Sequence, residues 1–279
     1  MDHSASHTRG LRFESVTFTY PGAAEPALRE VSFALAPGEC LAVLGANGSG
    51  KSTLAQLANG LFMPQEGSVV VDGVPTAEFP DSYAVRSRVG VVFQNPDDQI
   101  VGTVVEEDVA FGPENLGVDP AVMRGRVDRA LARTGLTGLE RREPHLLSGG
   151  QKQRLAIAGI LALEPDYLVL DEPTAMLDPR GRVDVLSILE ELRSDGRGLV
   201  HITHHVADIA TADRVLVLAA GSVRFLGNPE ELLGHPDNLR DLGLAVPPVI
   251  ELAEELRRLG VVVPSKSVTA ESIVSALCT

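Results

Sequence analysis

The stretch GANGSGKST, Gly45 to Thr53, decides how the rest of the chain is read. It follows the apolar run Leu41-Ala42-Val43-Leu44, which has the continuity of a buried strand. Beyond it, Leu54, Leu57, Ala58 and Leu61 fall at helical spacing, so a helix is expected to begin near Lys51. Strand, glycine loop and helix in that order form the setting in which such a loop holds phosphate. Gly45, Gly48 and Gly50 let the backbone turn tightly with its N–H groups facing inward. The helix start adds unpaired N–H groups and partial positive charge. Lys51 can reach the β- and γ-phosphates of a nucleoside triphosphate, and Ser52 can hold Mg2+. A glycine-rich turn without a ligand would not match every fixed position and both flanks. The stretch names a triphosphate but not the use made of its energy.

At 279 residues the chain is long enough for a large α/β core with appendages. Its apolar fraction of 44% is that of a soluble globular protein. A net charge of -14 argues against nucleic acid, whose phosphates demand basic surface, and against adsorption on anionic lipid by charge alone. No apolar run approaches the roughly 18 residues of a membrane-spanning helix. The start, MDHSASHTRG, carries no apolar signal region. A cytosolic protein is expected, meeting any membrane through a protein partner. The two cysteines, Cys40 and Cys278, have no metal spacing and read as reduced thiols.

Residues 1–10 are polar and expected to be disordered. Leu11 to Tyr20 alternates apolar and polar residues as a strand does, and Val31 to Leu35 reads as a second. Tyr20, taken alone, is a core or edge aromatic. Val69 to Val71 and Val89 to Phe93 read as further strands, the second broken at Gln94-Asn95-Pro96. Asp119-Pro120 is a good cap and first-turn pair, followed by the stripe Val122, Met123, Val127, Ala130, Leu131 and a stop at Gly135. Residues 94–149 thus read as a helical insert. Ser148 can cap a helix with Leu155, Ile157, Ile160 and Leu161 as its apolar positions, and Gly149 and Gly150 at its start leave room for an anion. Tyr167 to Leu170 is a buried strand ending in Asp171-Glu172, where α/β sheets bind ligands. Asp171 suits a place near Mg2+ and Glu172 suits polarising the attacking water. Leu199 to Thr203 is another strand, ending at His204-His205. Val215 to Leu218 and Val223 to Leu226 read as a hairpin turned at Gly221. Beyond Asn228, Pro247-Pro248 opens a helix with Val249, Leu252, Ala253, Leu256 and Leu259 on one face, and another helix is expected from Thr269. Those stripes either pack on the parent domain or help a second subunit dock.

Together these residues resemble the nucleotide-binding subunit of an ATP-binding-cassette transporter, over nearly the whole chain. GANGSGKST looks like Walker A, LSGGQ at Leu147 to Gln151 like the family signature, and YLVLDE like Walker B. Gln94 looks like the Q-loop glutamine, Ala175 to Asp178 like the D-loop, and His204 like the switch histidine. The finer resemblance is to the ATPases of energy-coupling factor importers, which supply vitamins and transition metals such as cobalt and nickel. It rests on VVFQNPDDQIVGTVVEEDVAFGPENLG, SGGQKQRLAIAGILAL, DEPTAMLDP and GLAVPPVIELAEELRRLG. His205 departs from the Asp common after the switch histidine, and Ala175 from a frequent Ser.

The resemblance implies an α/β fold: a RecA-like phosphate-loop NTPase core with an antiparallel β subdomain, a helical insert and a small α-rich C-terminal extension. Residues 11–228 would form the cassette, with the insert at 94–149, and 229–279 the extension. It implies ATP bound by Tyr20, as adenine-stacking aromatic, and by Gly45, Ala46, Asn47, Gly48, Ser49, Gly50, Lys51, Ser52 and Thr53. Mg2+ would be held by Ser52, Gln94 and, through water, Asp171. Glu172, His204 and Gln94 would serve catalysis. Ser148, Gly149, Gly150 and Gln151 would act on the nucleotide of the opposite subunit, with Asp178 in the D-loop. Implied partners are a second ATPase subunit, a membrane-embedded coupling subunit and a substrate-binding membrane subunit, with this chain on the cytoplasmic face of the cell membrane. Three other readings stay open: a conventional binding-protein-dependent importer ATPase, a soluble cassette ATPase, and a catalytically silent scaffold. Intact Lys51, Asp171, Glu172 and His204 weigh against the last.

Overall fold

The strands divide into two kinds by how their residues are buried. LRFESVTF buries Leu11, Phe13, Val16 and Phe18, and leaves Glu14 and Ser15 exposed. CLAVL, YLVLD and GLVHI are buried at every position. One-sided strands suit an antiparallel sheet, and strands covered on both faces suit a parallel one.

The computed structural model describes residues 9–79, 82–233, 236–261, 263 and 270–277. In chain order the elements are β1 (Leu11–Phe18), β2 (Leu28–Leu35), β3 (Cys40–Leu44), α1 (Lys51–Ala58), β4 (Glu66–Val71), β5 (Val74–Pro75), α2 (Ser82–Arg86) and β6 (Val89–Val92). Then come α3 (Val105–Asn115), α4 (Pro120–Arg133), α5 (Gly149–Leu161), β7 (Tyr167–Asp171), α6 (Pro179–Ser194), β8 (Gly198–Ile202), β9 (Arg214–Ala219) and β10 (Ser222–Gly227). The chain continues through α7 (Pro229–Leu233), α8 (Pro236–Asp241), α9 (Pro248–Arg258) and α10 (Ala270–Leu277).

Two sheets result. The smaller is antiparallel, in the order β2-β1-β4-β5; the larger has the order β10-β9-β3-β8-β7-β6 and is parallel except for β10. α1 is buried between them, with Leu54, Ala55, Leu57 and Ala58 at 0% exposure beside Phe13, Leu41, Val43 and Val169. On the other face of the large sheet, α3, α4, α5 and α6 share a second core containing Val109, Leu131, Leu155, Leu170 and Leu189. The expected fold class is therefore the observed one.

Several local expectations are corrected. The first strand ends at Phe18, not Tyr20. Leu61 lies past the end of α1 and is exposed. In α4, Val122 is exposed while Val127, Ala130 and Leu131 are buried. α6 was not read from the sequence; its inward residues, Val185, Ile188, Leu189 and Leu192, lie among charged neighbours. α9 buries Ile250 and Ala253, whereas Leu252 and Leu259 are exposed. Ile250 joins Leu44, Val215, Val217, Leu232 and Leu239, so this helix packs on the parent sheet through a narrower stripe than expected.

Residues 1–8 of the polar start lie outside the described residues, but Gly10 is buried and donates to Asp72 Oδ1 at 3.0 Å. The same oxygen accepts from the Tyr167 hydroxyl at 2.6 Å, so one carboxylate joins the chain start to the two sheets. Burial pushes the Cys40 thiol up to about 12, which keeps it protonated and inert; Cys278 lies outside the described residues.

His201 on β8 is fully buried, and burial holds its imidazole below the usual histidine range. The unfolded chain takes up a proton near pH 6.5 that the folded chain refuses, so stability is lost as the pH falls through that region. Urea midpoints at about pH 7.5 and about pH 5 should lie closer together in His201→Leu than in the parent chain.

Candidate nucleotide-binding site

The register of the large sheet gathers the motifs. Val43 pairs with Ile202, Ile202 with Asp171, and Val92 with Leu170, so the carboxyl ends of β3, β8, β7 and β6 lie side by side. The residues that follow them are Gly45, Thr203-His204, Glu172 and Gln94, drawn from distant parts of the chain. This edge is where parallel α/β sheets hold ligands.

The loop after β3 has the shape a phosphate requires. Gly50 has a φ of 107°, and a Cβ there would lie 2.6 Å from the Ala27 carbonyl oxygen. A Cβ on Gly45 would meet Ser49 Oγ at 2.4 Å. α1 starts directly after Gly50 with no side chain capping its first turn, which leaves its N–H groups for an anion. Ala46, Asn47 and Gly48 are exposed, Ser49 is buried, and Ser52 is exposed at the mouth. The Ser49 hydroxyl is buried without a partner.

Lys51 is only 6% exposed. Its ammonium donates to the Gly45 and Ala46 carbonyls at 2.8 and 3.1 Å and lies 3.9 Å from Glu172 Oε1. The other carboxylate oxygen of Glu172 accepts from Gln94 Nε2 at 3.0 Å and lies 3.0 Å from His204 Nδ1. Glu172 thus gathers Walker A, the Q-loop and the switch around one buried carboxylate. Its φ of 50° is a left-handed conformation uncommon for a non-glycine residue, and such strain concentrates at functional sites.

Asp171 is hydrogen-bonded to Ser52. Burial raises its carboxyl above the ordinary range, partly countered by that hydroxyl. A buried carboxylate beside a hydroxyl offers oxygen donors of the kind a hard divalent cation such as Mg2+ takes. Tyr20 sits against the start of α1, where its hydroxyl shares a hydrogen bond of 3.0 Å with Thr53 and donates to Gln56 at 3.1 Å. Its ring meets Phe18 and Phe62 edge-on, at centroid separations of 5.0 and 5.6 Å.

The signature lies apart. No hydrogen bond or ion pair among the described residues joins LSGGQ to residues 45–53. Ser148, Gly149, Gly150 and Gln151 instead line a cavity with Asp178, Arg180 and Gly181. Ser148 caps α5 by accepting from Gln151 N–H at 3.3 Å, while its own N–H donates to Gln151 Oε1 at 2.9 Å. This reciprocal box leaves the Ser148 hydroxyl proton free to point outward. Sequence reading named Ser148 as the cap but not its return bond; glutamine three residues after a capping serine was the signal. It also missed the brace from Lys152 on α5 to Asp97 in the Q-loop, 2.6 Å long, a pairing across 55 residues that leaves no local pattern.

A phosphate loop on the central strand, with an acidic pair ending the strand two places away, defines a phosphate-loop nucleoside triphosphatase. A family model described as ABC transporter matches residues 28–175. An energy-coupling factor transporter ATP-binding protein, EcfA1 of Symbiobacterium thermophilum, is 52% identical over 253 residues, covering 90% of this chain and 88% of its own. The solved structure of cbiO1 from Clostridium perfringens, described as part of the ABC transporter complex cbiONQ, is 37% identical with a TM-score of 0.74 and covers 88% of this chain and 98% of its own. The cassette MJ0796, solved as a dimer in a post-hydrolysis state with ADP and Pi, is 28% identical with a TM-score of 0.71 and covers 78% and 98%. This chain belongs to the ABC transporter family, among the ATP-binding proteins of energy-coupling factor transporters.

Removing the Lys51 ammonium takes away a charge-assisted bond of about 1.5–3 kcal/mol. Lys51→Ala should weaken ATP binding about 10- to 100-fold in a calorimetric titration.

Proposed function

We propose that this chain is the ATP-hydrolysing subunit of an energy-coupling factor importer, with Glu172 as the base of the reaction. The observation that carries the assignment is the convergence of Gln94, His204 and Lys51 on the Glu172 carboxylate. Triphosphate entering the loop offers Lys51 and His204 stronger partners, which releases the Glu172 carboxylate to face a water. Glu172 then accepts the water proton as attack on the γ-phosphorus begins. Lys51 and His204 donate to the oxygens where charge grows. Ser52, Gln94 and Asp171 would hold Mg2+, which would supply positive charge to offset that of the triphosphate. Tyr20 offers a ring beside the loop for adenine, with its hydroxyl anchored on Thr53.

The second half of each site comes from a partner ATPase subunit, identical or related. Ser148, Gly149, Gly150 and Gln151 of one copy close on the nucleotide of the other, with Asp178 at the seam. The Ser148 hydroxyl proton and the glycine-tipped start of α5 are donors suited to a γ-phosphate. The dimeric state of the related MJ0796 cassette supports this reading. We assign residues 11–228 to the cassette, 94–149 to its helical insert and 229–279 to an extension. Among the described residues no helix is long and apolar enough to cross a membrane. We place the chain on the cytoplasmic face, against a membrane-embedded coupling subunit and beside a substrate-binding membrane subunit, a reading supported by the cbiONQ complex of the related cbiO1. The cargo would be a vitamin or a transition metal ion such as cobalt or nickel.

Two variants test the site. Glu172→Gln should lower ATP turnover about 10²- to 10⁴-fold while ATP binding persists and dimers accumulate on size exclusion; turnover within two-fold of the parent would remove Glu172 from its role. Ser148→Arg should abolish turnover with ATP affinity of the single subunit kept within a few-fold, measured by nucleotide fluorescence.

A further inference from the structure

The D-loop end of α6 and the loop that carries His204 are joined by an ion pair whose carboxylate is buried. Asp178 caps α6 by accepting from Gly181 N–H at 2.7 Å, and its carbonyl accepts from Arg182 N–H at 3.0 Å. Arg182, in the first turn, extends its guanidinium to Asp208 Oδ1. The Asp208 side chain is only 3% exposed. Its second oxygen accepts from the Thr203 hydroxyl at 3.1 Å. That hydroxyl accepts in turn from His205 N–H at 3.0 Å, and the His205 carbonyl accepts from Asp208 N–H at 3.0 Å. Both peptide groups flanking the His205 side chain are therefore pinned to Asp208. One of them is the His204–His205 peptide itself, and His204 Nδ1 lies 3.0 Å from Glu172.

We infer that Arg182 and Asp208 are positioning residues that set the switch histidine, His204, according to where the D-loop end of α6 stands. A buried carboxylate without its cation must move, protonate or draw in water, and each of these releases the loop it holds. Burial holds the imidazole of His201 below the usual histidine range, so the cation that Asp208 meets is the Arg182 guanidinium. Burial and the adjacent His204 ring, 4.0 Å away, likewise lower the affinity of His205 for a proton. The charge on Asp208 thus depends on a residue one helical turn from Asp178. A partner subunit pressing on the D-loop would move His204 through four short bonds, so that alignment for chemistry would follow pairing of the subunits. This inference rests on His204 acting on the γ-phosphate.

The test is steady-state ATP turnover of the purified full-length protein, with ATP affinity and thermal melting measured on each variant. Arg182→Met and Asp208→Asn should each lower kcat about ten-fold or more, with KM for ATP within about two-fold, because an interaction needed only in the transition state is lost. The double variant should be no slower than the slower single variant, since both act through one contact. Arg182→Lys, which keeps the charge, should recover most of kcat. If Arg182→Met does not fold, Asp208→Asn and Arg182→Lys give the same readout. Unchanged kcat in folded variants, losses that multiply in the double variant, or a proportional rise in KM would overturn the inference. His204→Ala separates the two ideas: if it collapses turnover while Arg182→Met does not, the link alone fails; if it leaves turnover intact, the assignment of His204 fails and the link falls with it.

Discussion

A buried ammonium and a buried carboxylate, Lys51 and Glu172, face each other across 3.9 Å at the carboxyl edge of the large sheet. Neither charge is tolerable there alone. Each is kept by further partners, Lys51 by loop carbonyls and Glu172 by Gln94 and His204. On the proposed reading, a triphosphate in the loop would compete with Glu172 for Lys51 and His204. If Glu172 is the base, as proposed, its carboxylate must be released from these partners before it can take a proton.

That arrangement depends on the sheet. β3, β8 and β7 are buried on both faces, α1 lying on one and the helices around α5 and α6 on the other. Such strands have little freedom to slide, since a one-residue slip would exchange their two faces. Their carboxyl ends consequently hold Gly45, Thr203 and Glu172 in fixed relation, with Thr203 N–H donating to Val43 O and Glu172 N–H to Ile202 O at 3.0 and 2.9 Å. Just beyond these ends lie the Q-loop, the switch and the D-loop. The Q-loop and the switch loop are each tied to a helix by a charged pair, Asp97 to Lys152 of α5 and Asp208 to Arg182 of α6. Apolar burial thus holds the sheet, and ion pairs hold two of the loops at its edge.

The signature presents the opposite case. LSGGQ forms a well-capped helix start, yet within its own chain it reaches no phosphate loop and its cavity opens beside the D-loop. The proposed role on the nucleotide of a second subunit fits this helix start, whose cap uses Ser148 and Gln151 and whose first residues are glycines.

Local patterns were legible wherever chemistry demands particular residues at particular spacing. GANGSGKST, the acid pair after YLVL, the Asp119-Pro120 helix start and the Gly221 hairpin were all readable, because backbone angles, capping and strand burial leave their marks within a few residues. α6 was hidden because its inward positions are diluted by charges on the outward face. Leu252 and Leu259 misled because apolar spacing on α9 does not say which part of the stripe meets the sheet. By itself the sequence determined the phosphate loop, the alternation of strands and helices, and the membership of the site. Only the tertiary structure decided that one carboxylate, Glu172, gathers Lys51, Gln94 and His204, and that Arg182 reaches Asp208. Those contacts join residues far apart in the chain, and their geometry is set by sheet register and burial, which no short stretch encodes.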